Sequence, residues 1–256
     1  MAIVTITSDF GQRDHYVALL KGTLISMDPA IQIMDISHEI KPYDIVEAAY
    51  VLGNCWKVYP KGTIHVMCVN NDLNNQKDLI YFTHEDHFFI GPNNGVFSLI
   101  FEEFSRKDVY EIEFAERTVF LQGLAMVIAH IHQGKTLNEL GSQVQKLIMR
   151  INLQPVINAN QIRGSVIHID RYENVILNIP KDLFVRAKRK RNFALYFKRH
   201  DPIEKISKHY SDVEIGEVLC LFNSAGYLEI AINMGKAASM LGLKMDESVQ
   251  LDFYSQ

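Results

Sequence analysis

Hydrophobic positions along this chain follow two rhythms. Up to about Arg150, short apolar runs of strand type alternate with helical patterns: Ile3–Ile6, Ile31–Ile36, Thr63–Val69, Leu79–Thr83, His87–Ile90 and Val109–Ile112 against Asp14–Met27, Asp44–Val58, Gly95–Phe104 and Val119–Gln133. Strands separated by helices predict a mostly parallel, Rossmann-like α/β sheet, because a parallel neighbour is reached only through a crossover. Beyond Pro155 and the polar Asn158-Ala159-Asn160-Gln161 the pattern becomes strand-like: Ile162–Asp170, Val175–Ile179, Phe193–Phe197, Glu217–Phe222, Tyr227–Ile232 and Ser248–Phe253. One short helix is expected near Lys236–Leu241. The expected organisation is an α/β N-terminal domain over residues 1–153 and a smaller all-β C-terminal domain over residues 158–256.

Composition narrows the function classes. Apolar residues make up 48% of the 256, and the net charge of −4 offers no broad attraction to nucleic acid or to an anionic membrane. Cys55, Cys68 and Cys220 are odd in number and far apart, without C-x-x-C spacing, so free thiols in a reducing cytoplasm are expected. No basic leader precedes the first strand, and the apolar stretch Gly123–Ile131 is short for a bilayer span, so neither secretion nor membrane insertion is expected. Ten histidines without ligand-type spacing make little case for a metal. The basic run Lys188-Arg189-Lys190-Arg191 could attract nucleic acid, but no stacking aromatics accompany it, and a solvated hairpin is expected there. A small-molecule ligand is the default partner.

Candidate chemistry starts where the first strand ends. Thr7-Ser8-Asp9-Phe10-Gly11, then Asp14, places two carboxylates beyond the carboxyl end of a strand, where open α/β sheets bind ligands. Asp9 could contact sugar hydroxyls there, or it could cap the helix starting near Asp14. Further strings follow: D-I-S-H-E-I-K-P-Y-D-I-V-E-A-A (Asp35 to Ala49), G-T-I-H-V-M-C-V-N-N-D (Gly62 to Asp72), G-P-N-N-G (Gly91 to Gly95), H-I-D-R-Y-E-N-V-I-L-N-I (His168 to Ile179) and N-S-A-G-Y-L-E-I-A-I-N-M-G (Asn223 to Gly235).

In this order, and with the opening T-S-D-F-G, the set resembles the S-adenosyl-L-methionine hydroxide adenosyltransferase family, within the superfamily that includes fluorinase and chlorinase. The resemblance runs from Thr5 to about Leu243. It implies an α/β domain and a β-barrel-like domain, trimeric assembly, and S-adenosylmethionine bound between the N-domain of one chain and the C-domain of the next, without a cofactor. Carried over, Asp9 takes the ribose hydroxyls, Asp14 lies near the methionine amine, and Tyr43 flanks the ribose and sulfonium. Asn94 and Phe114 join the substrate set. Asp170, Tyr172 and Asn174 meet the adenine and methionine ends, Ser224 the methionine amine, and Asn233 the adenine edge. Without the family, Tyr43 and Tyr172 could equally be core aromatics; His38 and His65 are expected to be structural.

The implied reaction displaces methionine from the ribose C5′ by water, hydroxide or halide. Hydroxide-using members associate the nucleophile with an Asp, an Arg and a His; this chain has Asn70, Lys77 and Ala115 at those positions. An amide cannot accept a proton as a carboxylate does, and lysine does not reproduce the planar guanidinium fork. Lost acid–base assistance typically costs about 10²–10⁴ in rate. Glu116, Asp72 or His84 could serve as relocated bases or be solvated loop residues. Halide chemistry is disfavoured, since Glu116 stands where fluorinase has a serine that helps hold halide. Two readings follow: an adenosine-forming S-adenosylmethionine hydrolase, and a silent binder of S-adenosylmethionine or adenosine.

Overall fold

The computed structural model describes residues 2–70, 79–101, 103, 109–112, 120–135, 139, 141–198 and 200–255. The chain separates into two compact units, Met1–Ile151 and Asn152–Gln256.

The first unit holds β1 (Ile3–Ser8), α1 (Tyr16–Met27), β2 (Gln32–Ser37), α2 (Ile45–Gly53), β3 (Ile64–Cys68), β4 (Leu79–His84), β5 (His87–Pro92), α3 (Val96–Ile100), β6 (Val109–Ile112), α4 (Phe120–His132) and β7 (Gly141–Gln143). The strands form one sheet in the order β2-β1-β3-β5-β4-β6-β7. Strand alternation divides its side chains between two cores. Val4, Ile6, Ile64, Val66 and Cys68 pack beneath α1 and α4, while Met67, Val69, Phe82 and Phe89 pack beneath α2, α3 and Trp56. The connection from β1 to β2 therefore covers one face and that from β2 to β3 the other. The strand order reverses at β1, which opens a crevice at the carboxyl ends of β1 and β3.

The sheet is mixed, which corrects the expectation of a mostly parallel one. β1 pairs in parallel with β2 and β3, and β3 with β5, whereas β5–β4, β4–β6 and β6–β7 are antiparallel. The reversal comes from a two-residue hairpin: His84 pairs with His87, and Glu85 and Asp86 between them have φ of 46° and 65°. Two consecutive left-handed residues are the geometry of a type I′ turn, usually signalled by Asn-Gly. Two charged residues stand there instead and carry no hairpin cue.

The helices also depart in detail from the periodicity. The second ends at Gly53, before a separate 3₁₀ turn at Trp56–Val58, and the third stops at Ile100. Asp44 caps α2, its Oδ1 accepting from the amides of Val46 (3.1 Å) and Glu47 (2.9 Å).

The second unit contains β8 (Val156–Ile157), β9 (Gln161–Ile169), β10 (Val175–Pro180), α5 (Lys181–Lys188), β11 (Asn192–Tyr196), β12 (Val218–Phe222), β13 (Tyr227–Ile232), α6 (Ala237–Leu241) and β14 (Ser248–Tyr254). The antiparallel order is β11-β14-β9-β10-β13-β12, with β8 beside β9. β9 pairs with β14 through Gln161–Ser165 and with β10 through its second half, so the sheet curls around a core that includes Ile162, Leu177, Leu195, Ile230 and Leu251.

The basic run is not a hairpin. Lys188 ends α5, Arg189 turns the chain at φ 52°, and Arg191 bonds inward to Ala159 O (2.9 Å), Asn160 Oδ1 (2.8 Å) and Ala187 O (2.7 Å). Charged side chains around Leu183, Phe184 and Ala187 hid this helix from the periodicity.

Candidate active site

The crevice of the first unit is organised by one carboxylate. Asp9 follows β1, and its Oδ2 accepts hydrogen bonds from the backbone N–H of Tyr43 (2.9 Å) and of Asn70 (3.1 Å). Three strand-end loops, after β1, β2 and β3, thus meet on one oxygen atom. Tyr43 and Asn70 both have left-handed backbones, φ 69° and 54°, which non-glycine residues adopt at a cost of about 1–2 kcal/mol. Strain of this kind persists only where surrounding structure enforces it, and it gathers at ligand sites. Asp9 supplies the enforcement. Among the described residues, its Oδ1 has no protein hydrogen bond.

Asp9 does not cap α1: that helix begins at Tyr16, with His15 at the cap position and no side-chain cap bond. Tyr43 is not a core aromatic either, since 73% of its surface is exposed. Asp14 is exposed in the loop before α1.

Beside Asp9, Ser8 Oγ lies 2.6 Å from His38 Nδ1, His38 Nε2 lies 3.1 Å from Asp35 Oδ1 off the hydrogen-bond line, and Asp35 pairs with Lys21 at 2.5 Å. Ser, His and Asp in sequence resemble a nucleophilic relay, but Ser8 and His38 are fully buried and no substrate atom reaches the hydroxyl. The relay is scaffold: the His38 carbonyl accepts from Gly11 N–H (2.7 Å), closing the loop that presents Asp9. His38 is structural, as expected, and so is His65. The latter is buried between Thr5 (2.7 Å) and His87 (3.1 Å), and burial, with His87 alongside, depresses its pKa to about 3.

Asn94 braces the floor of the same crevice. Its Nδ2 donates to Val69 O (3.1 Å) and its Oδ1 accepts from Val96 N–H (3.1 Å), tying the end of β3 to the start of α3. Both ends of this amide are engaged by protein. Asp72, Lys77, Phe114, Ala115 and Glu116 lie outside the described residues. Two open grooves of the unit lie elsewhere: one of about 520 Å³ between α1 and α4 and one of about 420 Å³ at the amino ends of β1 and β3.

In the second unit, Asp170 closes the turn between β9 and β10. Its Oδ1 accepts from the amides of Tyr172 (2.9 Å) and Asn174 (2.8 Å), and its Oδ2 from Asn174 Nδ2 (3.0 Å). Asp170 and Asn174 thereby shape one another, while Tyr172 projects from the turn with 76% of its surface exposed, again not a core position. Glu173, at φ 65°, fastens the turn to α6 through Ser239 and Lys236. Asn233 joins the Asp170 end of the sheet, its Nδ2 donating to Val213 O (2.9 Å). Ser224 is exposed in the β12–β13 turn, beside Lys181 and therefore towards the opposite end of β10.

These geometries accompany a match along most of the chain. Residues 4–141 match the SAM hydroxide adenosyltransferase N-terminal domain, and residues 164–250 match the SAM hydroxide adenosyltransferase C-terminal domain. The chain belongs to the SAM hydroxide adenosyltransferase family.

Similar members include the (R)-S-adenosyl-L-methionine hydrolase of Methanocaldococcus jannaschii, 29% identical over 97% of this chain and 95% of that protein. The hydrolase of the same name from Thermus thermophilus is 26% identical over 98% and 100%, and the fluorinase of Nocardia brasiliensis 25% identical over 97% and 96%. In fold, the family chain is similar to the crystal structure of an uncharacterized conserved protein from Thermotoga maritima, with a TM-score of 0.85 and 27% identity over 98% of this chain and 100% of that one.

Within this SAM hydroxide adenosyltransferase chain, sequence reading named Asp9, Tyr43 and Asn70 but not what joins them. Two of the three partners act through backbone N–H groups, which carry no side-chain signature. Nor did sequence reading single out Glu229, a buried carboxylate whose Oε1 accepts from Tyr210 Oη at 2.8 Å; the signal was a carboxylate between Leu228 and Ile230 in an otherwise apolar strand.

Proposed function

We propose that this chain hydrolyses S-adenosylmethionine to adenosine and methionine. The observation that carries the reading is the Asp9 clasp, set at the point where strand order reverses in a chain of this family. A carboxylate oxygen without a hydrogen bond among the described residues suits a ribose diol, and the exposed ring of Tyr43 suits the neighbourhood of a sulfonium cation. Hydrolase names among full-length relatives support the same chemistry.

Water or hydroxide attacks the ribose C5′ from the side opposite sulfur. The C5′–S bond breaks, the sulfonium takes the bonding pair and leaves as neutral methionine, and a proton is released where water rather than hydroxide attacks. Positioning and removal of bulk water govern such a displacement. The protein's part is to hold the ribose through Asp9 and the nucleophile in line. On this reading Tyr172 and Ser224, exposed on their turns, are second-unit contacts, Asp170 and Asn174 shape the first of those turns, and Asp14 receives the methionine amine. No resident cofactor is required, because water and substrate supply every atom.

The finer reading takes the first unit as Rossmann-like and the assembly as a homotrimer in which second-unit contacts come from a neighbouring chain. Its three free cysteines suit a reducing cytoplasm.

A second reading, a binder without turnover, is favoured by Asn70, Lys77 and Ala115 at the positions associated with the nucleophile. Adenosine release from the (S) and (R) sulfonium epimers, followed by chromatography, separates the two. If the scaffold holds substrate in line, the combined change Asn70→Asp, Lys77→Arg and Ala115→His raises adenosine formation at least about tenfold, a fraction of what such groups contribute. Binding without turnover in both proteins rejects the hydrolase reading.

A further inference from the structure

The turn that carries Tyr172 is tied down by a residue with an unusual backbone. Glu173 sits at φ 65°, a left-handed conformation that glycine adopts freely and glutamate only at a cost. Four contacts with one short segment hold it there. Its carbonyl accepts from Ala238 N–H (2.9 Å), its Oε2 from Ser239 N–H (3.1 Å) and from Ser239 Oγ, and its Oε1 pairs with Lys236 Nζ at 2.9 Å. The bonds from Ser239 and then Lys236 hold the Glu173 carboxyl below the usual carboxylate range, so the anion makes these contacts at neutral pH.

The far side of these bonds is the start of α6. A helix leaves its first N–H groups without intrahelical partners, and a local side chain often caps them. Lys236, at the cap position of α6, makes no side-chain cap bond. Glu173, sixty-six residues before Ser239, supplies the acceptors instead, one from its backbone and one from its side chain. α6 in turn packs Ala237, Ala238 and Leu241 into the main core. The path from core to turn is therefore continuous. It runs from α6 to Glu173, whose N–H donates to Asp170 O (2.9 Å), and to the Asp170 carboxylate that takes the amides of Tyr172 and Asn174 on either side.

We propose that Glu173 is a positioning residue: its bonds to the first turn of α6 fix the β9–β10 turn and so the place from which Tyr172 meets substrate. The link to substrate rests on the S-adenosylmethionine reading; the effect on the turn does not. Local stability has simpler solutions, glycine at position 173 for the backbone and serine or aspartate at position 236 for the helix. A strained glutamate that serves both from a distance is explained by the tie it makes between helix and turn. The Lys236 pair is the lesser part of that tie, since the Lys236 side chain is exposed and exposed ion pairs contribute little.

The test compares Glu173→Gly, Glu173→Gln and Ser239→Ala in the full chain, by amide hydrogen exchange and by the kinetics of adenosine release. Glu173→Gly relieves the backbone and removes the carboxylate. Exchange at Ser239 and Asn174 should then quicken at least about tenfold while Leu251 and Phe253 in β14 keep their protection, a local opening and not a global one. KM for S-adenosylmethionine should rise about tenfold with kcat within twofold, and Glu173→Gln, which retains an acceptor oxygen for Ser239, should recover most of both losses. Ser239→Ala leaves the turn's own backbone untouched and should quicken exchange at Asn174 about threefold or more, which separates the lost bond from the added freedom of glycine. That variant also decides the matter should Glu173→Gly not fold. Unchanged exchange at Ser239 and Asn174 in Glu173→Gly, or at Asn174 in Ser239→Ala, overturns the positioning role, and quickened exchange with unaltered KM overturns its link to substrate. Absence of turnover in the wild-type protein would instead reject the hydrolase reading; the exchange arm would still decide whether Glu173 sets the turn, and calorimetric affinity for S-adenosylmethionine would replace KM.

Discussion

At the scale of single residues, Asp9 does two jobs with two oxygens. Oδ2 holds the left-handed backbones of Tyr43 and Asn70, while Oδ1 makes no hydrogen bond among the described residues and, on the proposed reading, takes a ligand hydroxyl. Asp9→Ala should therefore weaken adenosine and S-adenosylmethionine binding by about 1.5–3 kcal/mol, the scale of a hydrogen bond to a charged group. Calorimetry giving equal affinity for wild type and variant would remove Asp9 from the site. The carboxylate was legible in the sequence because of its place after an apolar run. The clasp was not, since which amide meets which carboxylate is decided by loops thirty-four and sixty-one residues away. The same limit applied to Asn94, whose bonds to Val69 O and Val96 N–H are not legible from its place in the sequence.

At the scale of elements, the segment from β5 to α3 depends on a glycine. Gly95 sits at φ 95°, and a Cβ there would lie 2.4 Å from Arg150 Cγ. Gly95→Ala combines an unfavourable backbone region with a steric clash, and should destabilise the protein by about 2 kcal/mol, read as a lower denaturation midpoint at unchanged slope. A variant as stable as wild type would show that the Arg150 segment yields freely. Elements with clean alternation, such as β9 and β13, could be read directly from the chain. The hairpin at Glu85-Asp86 and the helix ending at Lys188 could not, because charged residues occupy positions where glycine or an apolar stripe would have been the signal.

At the scale of the molecule, acid should weaken the fold before carboxylates titrate. His65 and His87 are both depressed from the usual 6.5, His65 to about 3, with burial the leading cause. A histidine depressed in the folded state contributes stability that is complete above about pH 6.5 and is lost as pH falls towards the folded value, at up to about 1.4 kcal/mol per pH unit for each group. Asp28 and Asp35 lie below their usual 3.8, through His132 for the first and through Lys21 and His38 against burial for the second, so their contribution fades only in stronger acid. Between about pH 6.5 and 5 the loss therefore reports the histidines, with Glu229, which burial raises above 4.5, acting in the opposite sense. Unfolding midpoints should fall across that range for wild type and stay flatter for a His65→Phe, His87→Phe variant; parallel profiles would contradict the assignment.

The family was legible because six strings follow one another in order along the chain, and the two-unit plan because the hydrophobic rhythm changes near residue 155, whereas the reaction turns on Asn70, Lys77 and Ala115, positions that the resemblance alone singles out. The most direct measurement of the central claim uses oxygen isotope. Purified protein is incubated with S-adenosylmethionine in ¹⁸O-water, and the products are resolved by chromatography and mass spectrometry. The account predicts methionine and adenosine in equal amounts, with one ¹⁸O in the 5′-hydroxyl of adenosine and a rate lowered by Asp9→Ala. Adenosine no more abundant than in a protein-free control, or formed without the label, would contradict it.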